Sequence, residues 1–263
     1  MLYFSKEGRP GPVLMDLPDD LQRANINPKK LKGFVPPKKK INKIKFEKNF
    51  FKLIDKSKRP LIILGHGINL SKTKNDVKKL ISKTGIPFLP SWATIDLFSH
   101  NHKLNAGTFG VAATRYGNFA IQNSDLIISL GCRLNTQITG SNIKSFAPKS
   151  KKIVVDIDPN EFKKNNGLKI DLKINLDLKI FFERILPFVN KKKEYKEWID
   201  NFSKWKSKYP ITKLKYYNQT KKNNPYVFIK KLSEKTGRKD VLIPDASANL
   251  IWVMQGLEID GQK

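Results

Sequence analysis

One stretch decides the fold of this chain: GTFGVAATRYGNFAIQNSD (residues 107–125), followed directly by LIISL (126–130) and GCRLN (131–135). It contains, in order, a glycine-rich loop, a helix, an apolar strand and a second glycine turn. Glycines at strand ends let the backbone approach a phosphate closely, and the start of the next helix offers unpaired N–H groups. This order of elements is typical of a nucleotide-binding α/β layer.

The same alternation of strand and helix continues on both sides of that stretch. Four apolar runs have the length of buried strands, and a fifth candidate is interrupted by charges. They are the segments 60–64, 86–89, 126–130, 152–156 and 168–174. Helical spacing separates them, and apolar strands that alternate with helices indicate a parallel sheet covered on both faces. The sequence therefore predicts a doubly wound, Rossmann-like α/β fold, with partial α/β domains on either side.

Shifts in composition divide the chain into five segments. A turn and a strand candidate at 12–18 end the first segment, Pro and Lys dominate the second, and the fourth carries a helix among lysines. The last segment holds a helix at 224–236, a strand at 240–244 and the start of another helix at 250. The predicted boundaries are 1–24, 25–45 (linker), 46–189 (central domain), 190–223 (linker) and 224–263.

Composition excludes several classes of protein. No apolar run approaches the roughly 20 residues of a membrane span, and the first residues, MLYFSKEG, do not have the pattern of a signal peptide. The single cysteine, Cys132, cannot form an internal disulfide and fits a reducing compartment. These features predict a soluble, cytoplasmic protein without a membrane partner.

The formal net charge of +28 raises the question of nucleic acid, because clustered cations bind phosphates. Almost all of this charge is lysine, whereas recognition of bases and bidentate binding of phosphates favour arginine. The lysines are also dispersed, and the runs at 38–45 and 191–193 have the composition of solvated linkers. A lysine-rich surface without a nucleic-acid partner is the favoured interpretation, and a basic nucleic-acid binder the minor one.

Candidate binding residues stand at the predicted strand ends. Gly65 and Gly67 flank a loop histidine after the first central strand, and Asp156 ends the fourth, where an acid can bind ribose hydroxyls. Asp158 precedes a proline and is expected to cap a helix. Arg133 could pair with a diphosphate through charge-assisted bonds, or form a salt bridge to an aspartate at position 125 or 156.

These motifs resemble those of the acetolactate synthase group of thiamine-diphosphate enzymes. GRPGPVLMDLP (8–18) is similar to the end of the family's pyrimidine-binding domain, and residues 107–135 are similar to its central domain. DASANLIW (245–252) stands where the family begins its diphosphate-binding domain. Six residues lie in register with the family pattern. They are Gly107, Gly110, Ser124, Asp125, Gly131 and Arg133.

The resemblance implies a set of cofactor contacts. In flavin-containing relatives, groups at the ends of the central strands contact FAD, and a turn corresponding to 247–249 contacts the phosphates of thiamine diphosphate. The implied cofactor-binding residues are Gly65, Gly67, Gly107, Gly110, Gly131, Arg133, Asp156, Ile157, Ala248 and Asn249. Flavin-binding relatives carry Arg-Phe-Asp-Asp-Arg where this chain has RLNTQ (133–137), and this departure weakens the expectation that FAD is retained.

The resemblance also implies that catalysis needs residues from outside this sequence. The glutamate that activates thiamine diphosphate and the Gly-Asp-Gly…Asn segment that holds Mg²⁺ do not occur among the 263 residues. The expected parent enzyme decarboxylates a 2-keto acid such as pyruvate, transfers the resulting two-carbon unit, and is a homodimer or higher oligomer. This chain is expected to be a fragment that is inactive alone. The alternative is a non-catalytic module that binds FAD or an adenine nucleotide.

Overall fold

The structure is a computed structural model that describes residues 1–37, 44–163, 167–189, 193–219 and 221–262. The chain forms two compact units, Met1–Lys43 and Ile44–Lys263. The lysine-rich run at 38–43 and residues 191–192, both expected to be solvated linkers, lie outside the described residues.

The first unit contains two short α-helices, α1 (Leu2–Lys6) and α2 (Asp19–Arg23), and a 3₁₀ turn at Pro28–Lys30. The strand predicted at 12–18 is not present, and Leu14 within it is 94% exposed. That prediction was wrong because a strand needs a neighbouring strand for its hydrogen bonds, and the described part of this unit offers none.

The second unit is built on a five-stranded, all-parallel sheet. The strands are β1 (Pro60–Leu64), β2 (Phe88–Pro90), β3 (Leu126–Leu130), β4 (Lys151–Asp156) and β5 (Leu172–Asn175). Their spatial order is β2-β1-β3-β4-β5, and Leu64 pairs with Leu130 at the carboxyl ends of the two central strands. The prediction of a doubly wound α/β fold is confirmed.

Helices connect the strands as parallel pairing requires. Those of the sheet region are α3 (Glu47–Lys56), α4 (Gly67–Leu70), α5 (Lys74–Thr84), α6 (Arg115–Asn123), α7 (Thr136–Thr139) and α8 (Leu178–Ile185). Helix α6 begins where the sequence predicted, since the Thr114 hydroxyl accepts a hydrogen bond from the Gly117 amide. Three 3₁₀ turns, Trp92–Leu97, Ile143–Ser145 and Pro159–Phe162, follow β2, α7 and β4 respectively, and a fourth, Leu186–Phe188, extends α8.

The core lies on both faces of this sheet. Every residue of β1 and β3 is buried, which explains why both are apolar except at Ser129, whose hydroxyl donates to the Cys132 carbonyl. On one side, Phe46 stacks on Phe181, and Phe50 meets the same ring edge-on. These buried aromatic rings hold α3 and α8 together.

The segment 190–223, expected to be a linker, contributes to the same core. It contains α9 (Lys196–Lys208) and α10 (Leu214–Tyr217). Trp198 and Phe202 are buried among the residues of the sheet, and the Trp198 indole N–H donates to the Pro60 carbonyl at 3.1 Å. The aromatic residues at 198, 202 and 205 recur at helical spacing, so they form an apolar stripe on a lysine-rich helix.

The last segment carries α11 (Pro225–Lys235) and α12 (Ala248–Gly256) around a second small core that includes Ile229 and Leu257. Both helices were predicted. The strand expected at 240–244 is absent, and Ile243 is 89% exposed, again because no described strand lies beside it. Among the described residues, none of the helices combines the length and apolar character needed to cross a lipid bilayer.

Candidate functional site

The strand order places a candidate site between β1 and β3. In a doubly wound sheet, ligands bind outside the carboxyl ends of the strands, at the point where the strand order reverses. The loops after β1 and β3 meet there: the Gly65 amide donates to the Leu130 carbonyl, and the Gly67 amide donates to the Gly131 carbonyl, each at 3.0 Å. Three glycines predicted as cofactor contacts are therefore brought together.

These glycines pack backbone against backbone. A Cβ atom on Gly65 would lie 2.1 Å from the Gly131 carbonyl oxygen and 2.3 Å from the Cys132 Cα. A Cβ atom on Gly67 would lie 2.8 Å from the Gly131 Cα, and Gly131 itself has φ of +56°. The close approach of the two loops is possible only because side chains are missing at all three positions.

The loop that carries Gly107 and Gly110 forms one wall of this edge. Both glycines have strongly positive φ values, +103° and +120°. The Gly107 amide donates to the Asn105 side chain at 2.9 Å, and the Gly110 amide donates to the Asn118 side chain at 3.0 Å. The Asn118 amide group donates back to the Gly110 carbonyl at 2.9 Å. Asn105 and Asn118, which the sequence did not single out, thus fix the shape of the loop.

Arg133 follows the β3 turn and forms an ion pair with Glu161, Nε to Oε1, at 3.2 Å. The Glu161 side chain is only 6% exposed, whereas that of Arg133 is 59% exposed. Of the two aspartates considered from the sequence, Asp125 accepts hydrogen bonds from the Lys58 and Arg59 amides.

Asp156 ends β4 as predicted, and Ile157 follows it directly. Asp156 is 7% exposed, and its Oδ1 accepts a hydrogen bond from the Asp158 amide at 2.9 Å. The Asn175 side chain at the end of β5 donates to the Asp156 and Ile157 carbonyls at 3.0 and 2.9 Å. Asp158 caps the following 3₁₀ turn through the Asn160 amide, which confirms its expected capping position.

Ala248 and Asn249 lie away from this edge, in the first turn of α12, and both are exposed. The preceding Ser247 has φ of +72°, and its side chain makes no capping hydrogen bond to the helix. Asn249 borders an open groove of about 410 Å³. Apolar residues of α11, α12 and the extended segment between them supply most of its lining, including Phe228, Leu242 and Trp252.

The far end of α12 reaches the central sheet region. Gln255 donates to the Ala112 and Ala113 carbonyls at 3.3 and 3.2 Å, and the His100 amide donates to the Ile259 carbonyl at 2.7 Å. A small cavity of about 30 Å³ lies between these parts. It is lined by residues from both, among them Asn105, Gly107, Tyr116 and Met254.

Titratable groups beside that cavity are perturbed by burial. Desolvation lowers the pKa of His100, and the positive charge of Lys206 lowers it further. Desolvation also lowers the pKa of Lys206, whose ammonium group donates to the Asn105 carbonyl at 2.8 Å. It raises the pKa of Tyr116 to about 12. The residues next to His100 in the sequence form a loop without periodicity, so no sequence pattern indicated that these titratable groups lie together.

Comparison with known proteins assigns the family. Residues 48–185 match the family model described as the thiamine pyrophosphate enzyme central domain. This chain belongs to the thiamine pyrophosphate enzyme family. The match covers all five strands and the carboxyl-edge loops, so the site described above belongs to a thiamine pyrophosphate enzyme central domain.

Several curated relatives of this chain carry acetolactate synthase names. A "Probable acetolactate synthase large subunit" of Methanococcus aeolicus is 35% identical over 77% of this chain and 35% of the relative. An acetolactate synthase large subunit of Cyanidium caldarium is 30% identical over 99% of this chain and 46% of the relative. Acetolactate synthase 2, chloroplastic, of Nicotiana tabacum is 28% identical over 96% and 38%. The chain thus spans less than half the length of these curated relatives.

The comparisons confirm the resemblance recognised in the motifs. The family match and the similarity to acetolactate synthases both include the segment 107–135, on which the resemblance was based. The contacts of individual residues with a cofactor stay predictions. Gly65, Gly67, Gly107, Gly110, Gly131, Arg133, Asp156 and Ile157 share one region of the fold, and Ala248 and Asn249 lie in another.

Proposed function

We propose that this chain is the central part of a thiamine-diphosphate-dependent enzyme that decarboxylates a 2-keto acid such as pyruvate and transfers the two-carbon unit. The observation that carries the proposal is the thiamine pyrophosphate enzyme central domain at 48–185, with acetolactate synthases similar along almost the whole chain. The parent enzyme uses Mg²⁺, assembles as a homodimer or larger oligomer, and is cytoplasmic. Residues 1–24 are the tail of its pyrimidine-binding domain, and residues 224–263 begin its diphosphate-binding domain.

In this proposal the start of α12 contacts the diphosphate of the cofactor. Helix N-termini bind phosphates because their first amides are unpaired. Ser247 adopts a positive φ directly before the helix, a strained conformation that clusters at functional sites. Ala248 offers a backbone amide, and Asn249 offers a side-chain amide as a second donor. Bound thiamine diphosphate supplies the electron sink for the carbanion formed on decarboxylation.

The central domain holds this segment in position. The Gln255 side chain joins α12 to the loop at Ala112 and Ala113, and its oxygen accepts a 2.7 Å hydrogen bond from the Tyr226 hydroxyl on α11. The Thr108 hydroxyl lies 3.5 Å from the Met254 carbonyl. These contacts orient the helix whose other end meets the diphosphate.

The test begins with the DNA that encodes this chain. We expect the reading frame to continue upstream to an activating glutamate and downstream to a Gly-Asp-Gly…Asn segment. The longer polypeptide should form acetolactate from pyruvate with thiamine diphosphate and Mg²⁺, whereas the 263 residues alone should not. A longer polypeptide that binds no thiamine diphosphate would refute the proposal, and acetolactate formation by the 263 residues would refute their inactivity.

A variant of the longer polypeptide tests the diphosphate contact. Asn249→Ala should weaken thiamine diphosphate binding about tenfold, which is the loss of one hydrogen bond to a charged group, and leave kcat at saturating cofactor nearly unchanged. The matched control is Asn223→Ala, because Asn223 borders the same groove but is not part of α12. Equal cofactor affinity in both variants would show that Asn249 does not contact the diphosphate.

A further inference from the structure

We infer that the central domain of this chain is flavin-independent: its own backbone and side chains occupy the positions at the switch point that a dinucleotide would need. The inference goes beyond the proposed function, since thiamine-diphosphate chemistry does not require a flavin in this domain. It rests on hydrogen bonding, close packing and charge at the carboxyl edge.

The amides that would bind a diphosphate are already used. Phosphate binding at a strand–turn–helix junction relies on backbone N–H groups that have no partner inside the protein. Here, each of the five predicted glycine amides donates to a protein oxygen. The acceptors are the Leu130, Gly131 and Val155 carbonyls for Gly65, Gly67 and Gly131, and the Asn105 and Asn118 side chains for Gly107 and Gly110.

Backbone packs directly against backbone at the switch point. A ligand at the switch point lies between the two loops that diverge from the central strands. In this chain the loops after β1 and β3 are in direct contact, with Gly65 packed on Gly131 and Cys132 at distances that exclude even a methyl group. The glycines therefore serve loop-to-loop packing at the point where a diphosphate would approach.

The charges at this edge also oppose a dinucleotide. Arg133 is paired with Glu161, so its positive charge is offset before a diphosphate arrives. Burial raises the pKa of the Cys132 thiol to about 12, and the negative charges of Asp156 and Glu161 contribute to this increase.

The first test uses the 263-residue chain, shown by circular dichroism to be folded. We expect no absorbance near 450 nm after purification, and no saturable binding of FAD or ADP by calorimetry up to ~1 mM. Stoichiometric binding of either nucleotide would overturn the inference.

Hydrogen exchange gives a second and local measurement. We expect the amides of Gly65, Gly67 and Gly131 to exchange slowly without nucleotide, with rates that FAD does not change. Fast exchange that slows when FAD is added would overturn the inference. In the longer polypeptide, acetolactate formation should not depend on added FAD. If it does, flavin independence fails, while the proposed thiamine-diphosphate function still stands.

Discussion

Replacing Gly65 with alanine tests whether the carboxyl-edge glycines serve packing. The new Cβ would lie 2.1, 2.3 and 2.4 Å from the Gly131 oxygen, the Cys132 Cα and the Cys132 nitrogen, all of them backbone atoms. Backbone cannot rotate away as a side chain can, so the two loops must separate. The φ of Gly65 lies outside the left-handed region, so the clash, not backbone strain, is the cause of the expected loss.

The size of the loss follows from two contributions. Overpacking of a tightly packed site costs about 1–3 kcal/mol. Separation of the loops also weakens the hydrogen bonds from Gly65 to Leu130 and from Gly67 to Gly131, at about 1 kcal/mol each. We expect Gly65→Ala to lower the free energy of unfolding by about 3 kcal/mol or more.

Urea unfolding followed by circular dichroism measures this loss, and the midpoint should fall by about 1 M or more. The control is Gly237→Ala, because a Cβ at Gly237 has no atom within 4 Å and its φ is not in the left-handed region. The control should stay within about 0.5 kcal/mol of the original chain. If Gly65→Ala also stays within that range, the packing explanation is refuted and close approach of a ligand becomes the better reason for the glycine.

Three further predictions concern other parts of the second unit. Asp125→Ala should lower the free energy of unfolding by about 2 kcal/mol, because the carboxylate accepts hydrogen bonds from the Ser57 hydroxyl and from two amides before β1. Thermal melts measure this loss, and an unchanged melting temperature would contradict the prediction. His100 has a folded-state pKa below its ordinary 6.5, so the unfolded chain binds more protons and stability should fall as the pH drops below about 6.5. Hydrogen exchange at the Ile259 contact should show this dependence, and His100→Gln should abolish it. Cys132, buried with a pKa raised to about 12, should not react with a thiol reagent at pH 8 until the chain is unfolded, and rapid labelling of the native protein would disprove its burial.

Much of the second unit is predictable because its elements are marked by local pattern. Strands β1 and β3 begin and end where the apolar runs at 60–64 and 126–130 do, and α6 occupies the predicted 115–123. Full burial makes these strands apolar at every position except Ser129, so their limits are visible without knowledge of the partners. Capping by Asp158 is equally local, because donor and acceptor lie two residues apart.

The wrong predictions share a different cause. Segments 12–18 and 240–244 have strand-like composition, but the described residues offer no strand beside either, and a strand is completed only by hydrogen bonds to a neighbour. The ion pair of Arg133 with Glu161, 28 positions further along the chain, was also not predicted, because it forms only when the turn after β4 brings that carboxylate to the end of β3. Spacing along the sequence does not encode such a meeting.

The sequence by itself therefore determined the family, the α/β class and the order of elements, since each depends on residues close together in the chain. Tertiary structure alone decided that Gly65 and Gly67 meet Gly131, and that aromatic residues of α9 complete the core. The physical reason is the order of the strands. β1 and β3 are neighbours in space with β2 outside them, so glycine turns more than 60 residues apart become one packed edge.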